Sequence, residues 1–194
     1  MVETLERPLT RAQEARRKRV IDAAMELAAQ GGYDAVQMRD VATQADVAMG
    51  TVYRYFTSKD HLLAEALVHW IEMLQLQFAS LPAEGATPAS RVLEILDRAL
   101  DVMNRQPRLV AAVFLSLSSS DPAAVQCQWR ISELLDNIVL TAIGAPAPRD
   151  THDRSRMIGH IWYSALVGWV NGWSPMERVH NELAIAVELL LPDA

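Results

Sequence analysis

The sequence predicts an all-α fold: an N-terminal three-helix unit with a helix-turn-helix, followed by a larger helical domain. Three observations carry that expectation. Apolar residues recur at helical spacing through most of the 194 residues, and no convincing run alternates with the two-residue period of a strand. Prolines, glycines and capping residues cut this pattern into about nine segments. Apolar residues make up 51% of the chain, enough to bury a sizeable core.

The elements follow in order. Thr10 with Gln13 reads as a capping box opening a first helix, with Val20, Ile21, Ala24, Leu27 and Ala28 on one face and Gly31-Gly32 at its end. Two short segments come next, Met38–Ala45 and Met49–Phe56. Ser58 then caps a longer helix through Trp70 toward Phe78, which stops before Leu81-Pro82. After the Pro82–Pro88 loop, Val92, Ile95, Leu96, Ala99, Leu100 and Met103 form the apolar stripe of a fifth helix that Pro107 ends. Leu109–Leu117 is a sixth, closed by a run of serines. Asp121-Pro122 supplies the N-cap and first-turn proline of a seventh, reaching Ile143. Gly144–Pro148 reads as a linker. His152–Trp173 and Pro175–Leu191 are the last two helices, with a capping box expected from Ser174-Pro175 to Glu177. The expected division is 1–56 and 57–194.

Charge separates the two parts. The net charge is −6, yet residues 1–60 hold nine basic and nine acidic residues, leaving nine basic and fifteen acidic in the remainder. The larger part therefore repels a polyanion, and contact with nucleic acid is confined to the N-terminal third. Arg16-Arg17-Lys18-Arg19 is the densest positive feature there. The single cysteine, Cys127, rules out an intramolecular disulfide and suits a reducing cytoplasm. No membrane-spanning stretch and no secretory leader are expected.

The most informative segment runs from Gln37 to Lys59. Val41 and Ala42 are spaced to pack against Val47, Val52 and Phe56, giving two short helices joined by a tight turn in which Asp46 takes the left-handed position. The second helix then presents Met49, Gly50, Thr51, Tyr53, Arg54 and Tyr55. Such a set suits a major groove: Arg54 can fork onto guanine, while Thr51 and the tyrosine hydroxyls reach phosphates or base edges. Gly50 lets the backbone come close. Lys59, at the start of the next helix, is placed to hold a phosphate, and Arg39 to hold a phosphate or reach a base.

Ala45, Val47, Gly50, Thr51, Tyr53, Tyr55, Phe56 and Lys59 complete an A-x-V-x-x-G-T-x-Y-x-Y-F core followed by a lysine. This pattern resembles the DNA-binding signature of the TetR family of bacterial regulators, with Asp46 standing where the family usually has glycine. Within it, G-G-Y-D-A-V-Q-M-R-D-V-A, S-K-D-H-L-L and W-Y-S-A-L-V-G-W resemble the branch that represses cholesterol catabolism in actinobacteria. The resemblance implies a homodimer on double-stranded operator DNA, repression, and release by a small ligand. A two-fold dimer also implies a palindromic operator. An apolar lining points to a hydrophobic small-molecule effector, a sterol or acyl-CoA metabolite being the branch's implication.

Lining candidates for its cavity are Trp70, Met73, Leu74, Met103, Phe114, Trp129 and Trp162, since aromatic and methionine side chains wall adaptable apolar sites. The last two helices are expected to build the dimer face through Ile158, Ile161, Ala165, Gly168, Trp169, Leu183, Val187 and Leu190, with Ser164, Gly168 and Gly172 as a ridge of small residues. His61, Glu65 and His69 share a helix face, but the outer two stand about 12 Å apart along it, too far to converge on one ion. No metal, cofactor or enzymatic activity is expected. No nucleophile elbow, zincin motif or phosphate-binding loop is present.

Overall fold

The computed structural model describes residues 9–144 and 150–192. Among these, nine helices and no strands are found: α1 Arg11–Ala35, α2 Met38–Gln44, α3 Met49–Tyr55, α4 Lys59–Ser80, α5 Pro88–Asn104, α6 Pro107–Ser116, α7 Pro122–Ile143, α8 Thr151–Val170 and α9 Met176–Leu190. The linker expected at Gly144–Pro148 lies outside the described residues beyond Gly144.

Local chemistry explains most of these boundaries. The Thr10 hydroxyl accepts from the Gln13 amide while the Gln13 side chain accepts from the Thr10 amide, closing the expected capping box of α1. Gly32 breaks α1 with φ 72°, a conformation open to glycine, but one further turn carries the helix to Ala35. Thr87 and Ser90 close a second box at α5, which the sequence reading did not include. The box expected at Ser174 does not form. Pro175 is the N-cap of α9 and no side chain caps it; Ser174 instead turns back, its amide donating to Gly168 O at 3.2 Å.

Val20, Ile21, Ala24, Val41, Val52 and Phe56 are buried and form the small core under α2 and α3. α1 packs most extensively on α6, and α4 on α7. Arg108 at the start of α6 donates to Gln30 O near the end of α1 at 2.5 Å. The reading unit is thereby clamped to the larger domain by α1 and α4. Cys127 is buried, and no described helix is long and apolar enough to cross a membrane.

Burial within the chain narrows the expected dimer face. Ile158, Ala165, Gly168, Leu183 and Val187 are buried inside the single chain, and Gly168 sits against its own Ser174, 3.3 Å from where a Cβ would stand. From Met157 onward α8 is mostly apolar, so periodicity alone does not say which side faces inward. Ile161, Trp169 and Leu190 are half-buried, while Met157, Trp173, Ile185 and Leu189 are exposed.

Candidate DNA interface and ligand cavity

The turn between α2 and α3 is held from three sides. Val47 N donates to Ala42 O at 3.0 Å, and Arg19 Nε donates to Ala45 O at 3.1 Å. Asp46 takes φ 52°, the one non-glycine positive φ among the described residues, as its short polar side chain tolerates. Val52 is fully buried and anchors α3. The opposite face is open: Met49, Gly50, Tyr53 and Arg54 are exposed and Thr51 is half-exposed. Nothing lies within 4 Å of a Cβ added to Gly50, so the chain's own packing does not demand glycine there. Arg39 projects from α2 with 85% of its side chain exposed.

Two predicted contact residues are engaged elsewhere. Lys59 Nζ donates to Tyr33 O at 3.2 Å and stands 3.7 Å from the centroid of the Tyr33 ring. Its charge thus caps the carbonyl end of α1 rather than standing free for a phosphate. Tyr33 in turn donates to Asp60 at 2.5 Å; burial first, then this bond and the Asp60 charge, push its phenol up to about 12. Tyr55 is half-buried, with its hydroxyl enclosed and without a hydrogen-bond partner. Its ring lies under the Arg54 guanidinium at 5.2 Å, so Tyr55 supports Arg54 from behind.

The basic cluster of α1 is also used internally. Lys18 pairs with Asp22, and Arg17 crosses to Glu65 on α4 at 2.5 Å while its guanidinium lies 5.4 Å over Phe56. Arg130 of α7 reaches the other Glu65 oxygen at 2.8 Å. Burial alone would raise the Glu65 carboxyl, but His61, 3.9 Å away, and the Arg17 and Arg130 guanidiniums outweigh it and hold it at about 2. His61, Glu65 and Cys127 bring donor atoms within 4.8 Å of one another, the geometry of a possible metal cluster. Both carboxylate oxygens already serve guanidinium groups, and burial, then Glu65, push the Cys127 thiol up to about 12. The cluster is an ion-paired joint between α1, α4 and α7.

A second joint lies about two turns away along α4. Asp121 caps α7 by accepting from Ala123 N at 2.9 Å, and its other oxygen accepts from Thr57 and Ser58 at 2.9 and 2.5 Å. Ser58 also caps α4. The Ser58 bond above all holds the Asp121 carboxyl below the usual carboxylate range. The turn that follows α3 is therefore tied to the N-cap of α7. Pairings across some sixty residues carry no local sequence signal, and neither joint was foreseen.

Helix α7 also walls a cavity. About 300 Å³ opens between α7 and α8, and it shares Leu117, Ile131, Leu135, Gly159, Trp162 and Tyr163 with a deeper chamber of about 50 Å³ lined by Leu67, Ile71, Met103, Phe114 and Leu166. Of the seven predicted lining residues, Met103, Phe114 and Trp162 meet here. Trp70 and Leu74 are buried in the core but line neither space. Met73 and Trp129 lie on the outer surface, 52% and 72% exposed. Each sits two residues from a lining residue, Ile71 or Ile131, about 200° round the helix axis. The lining is more polar than predicted, with Gln128, Ser132, Asp136, Ser155, Arg156 and His160.

Comparison with known proteins decides the family. A sequence profile for bacterial regulatory proteins of the tetR family matches residues 20–66, and one for the tetracyclin repressor-like C-terminal domain matches residues 85–190. The chain belongs to the TetR family. This regulator is 40% identical over 185 residues to the HTH-type transcriptional repressor KstR of Rhodococcus jostii, covering 94% of this chain and 85% of the relative. The crystal structure of a TetR regulator from Rhodococcus sp. RHA1 superposes with TM-score 0.85 at 32% identity, covering 94% and 98% of the two chains. A Thermus thermophilus FadR, a TetR-family repressor in complex with lauroyl-CoA, shares the fold with TM-score 0.68 at 21% identity, over 90% and 93%. The TetR-family regulator is a DNA-binding transcription factor, as its relatives are, and not an enzyme.

Proposed function

We propose that this regulator is a repressor that binds a palindromic operator as a homodimer through α3 and is released by a hydrophobic small molecule held between α7 and α8. One observation carries the reading: the wall of the cavity and the turn after the exposed reading helix are bonded together, through Asp121 with Thr57 and Ser58. An occupant that shifts α7 therefore acts on α3 through charge-assisted bonds. The naming of a relative as a KstR repressor and the lauroyl-CoA in the Thermus neighbour favour an effector of the sterol or acyl-CoA thioester type.

In this reading Arg39, Met49, Gly50, Thr51, Tyr53 and Arg54 meet the operator directly, Tyr55 and Lys59 brace them, and the exposed Met157, Trp173, Ile185 and Leu189 supply the apolar part of the dimer face. The test is fluorescence anisotropy on a labelled duplex from the protein's own upstream region, titrated with lauroyl-CoA and with steroid-acid CoA thioesters. Salt-sensitive binding reversed by one of these supports the reading; binding that both leave untouched removes the effector class and keeps the DNA contact.

A further inference from the structure

Among the described residues, five side-chain polar atoms are buried without a hydrogen-bond partner, and three of them belong to the walls of the α7–α8 cavity. They are Asp136 Oδ1, Ser155 Oγ and Trp162 Nε1. Ser155 and Trp162 are 2% and 5% exposed. His152 Nδ1 lies 3.2 Å from Asp136 Oδ2, so the other carboxylate oxygen stands alone. Arg156 is held by Asp153 on its own helix. Buried polar groups are ordinarily paired, and three orphans along one helix seam mark a place where partners come from outside the chain.

We propose that this seam is a polar anchor for a neutral hydroxyl carried on an apolar body, which makes Asp136, Ser155 and Trp162 the residues that set effector specificity. The inference rests on the reading of the cavity as the effector site. The indole N–H only donates and needs an oxygen acceptor; an ionised carboxylate only accepts and needs a donor; the serine hydroxyl serves either role. A hydroxyl meets both demands, whereas a carboxylate facing Asp136 is repelled and an ether leaves Asp136 unpaired. The apolar remainder runs toward the deeper chamber beside Phe114 and Met103, whose volume of about 50 Å³ must widen to take it. The three polar atoms have no solvent-exposed surface, so the occupant reaches them by parting α7 from α8. That movement is the one transmitted through Arg130 and Asp121.

The test is isothermal titration calorimetry of the full chain with three probes sharing a twelve-carbon body: 1-dodecanol, dodecanoate and dodecyl methyl ether. Dodecanol is expected to bind at least about tenfold tighter than either other probe, a difference near 1.4 kcal/mol. Trp162→Phe keeps the ring and deletes the donor, and Asp136→Asn keeps the shape and adds one. The first is expected to weaken dodecanol about tenfold, and the second to erase its advantage over the ether. Testosterone in the same assay distinguishes a ring body from a chain body by which alcohol binds tighter; either order supports the anchor. Equal affinity for the three dodecyl probes, no binding by any hydroxylated probe, or indifference to both substitutions overturns it. Operator affinity of the same variants is read separately. If dodecanol binds as expected without releasing the operator, the anchor stands and the release mechanism fails.

Discussion

At Gly50 the proposed DNA contact can be tested apart from folding, because the chain's own packing leaves room for a side chain there. Glycine inside a helix costs up to about 1 kcal/mol relative to alanine, and nothing within 4 Å of an added Cβ explains its presence. Gly50→Ala is therefore expected to leave the thermal midpoint unchanged or raised while weakening operator binding about tenfold or more; calorimetry and anisotropy on the same preparation check both halves. Arg54→Ala is expected to cost about 1–3 kcal/mol on the preferred operator and to relax preference at one base position, read by competition with single-base variants. Lys59→Met tests the opposite assignment. Its ammonium serves Tyr33, so stability should fall by about 1 kcal/mol while the salt dependence of DNA binding keeps its slope; a slope shallower by about one unit would restore the phosphate role. The exposed residues of α3 were legible because period and residue type agree there. Lys59 and Tyr55 were not, since reach to a neighbouring helix decides where a long or aromatic side chain goes.

Helix α7 links cavity to reading head, and its two joints respond differently to change. Glu65 stays ionised because His61 and two guanidiniums outweigh burial, and it titrates at about 2 instead of the usual 4.5. A carboxyl whose pKa is lower folded than unfolded adds stability above the unfolded value, and that stability is lost as pH falls from about 4.5 toward 2. Thermal midpoints should drop through that window, and Glu65→Gln should flatten the dependence while lowering the midpoint at neutral pH. Removing the carboxylate strands Arg17 and Arg130; because both keep contact with water, the cost belongs at the lower end of roughly 3–5 kcal/mol. Asp121→Ala is the coupling variant. It should keep effector affinity and operator affinity near those of the parent but shrink effector-driven release, a coupling typically of about 1–3 kcal/mol; undiminished release would place the linkage in Glu65 alone. The helices themselves were readable from caps and prolines at Thr10, Ser58, Pro107 and Pro122. Their cross-chain joints were not, because an ion pair between positions 17, 65 and 130 leaves no periodic trace.

At the scale of the whole molecule, packing within the chain sharpens the proposal for a dimer face beyond what apolar stripes suggest. Ile158, Leu183 and Val187 read as interface residues because they lie on apolar stripes, yet a stripe at helical spacing serves the chain's own core equally well. With those residues inside, the outer apolar residues of α8, α9 and their connection away from the cavity include Met157, Trp173, Ile185 and Leu189, the last three 74%, 59% and 75% exposed. Ile185 and Leu189 stand one turn apart on α9, and a two-fold axis beside them would set each against its symmetry mate. Leu189→Glu then places like charges together across that axis, while in the isolated chain it changes only a side chain already in water. The variant should sediment as a folded monomer with the parent's helical content and should bind a full palindrome no better than a half-site, since the second reading helix is no longer delivered with the first. Leu183→Glu is the contrast: buried in the core, it should unfold the chain instead of splitting the dimer. A Leu189→Glu protein that still sediments as a dimer with undiminished operator affinity would move the interface off α9. The half-buried Ile161 and Trp169 of α8 would then be the residues to substitute.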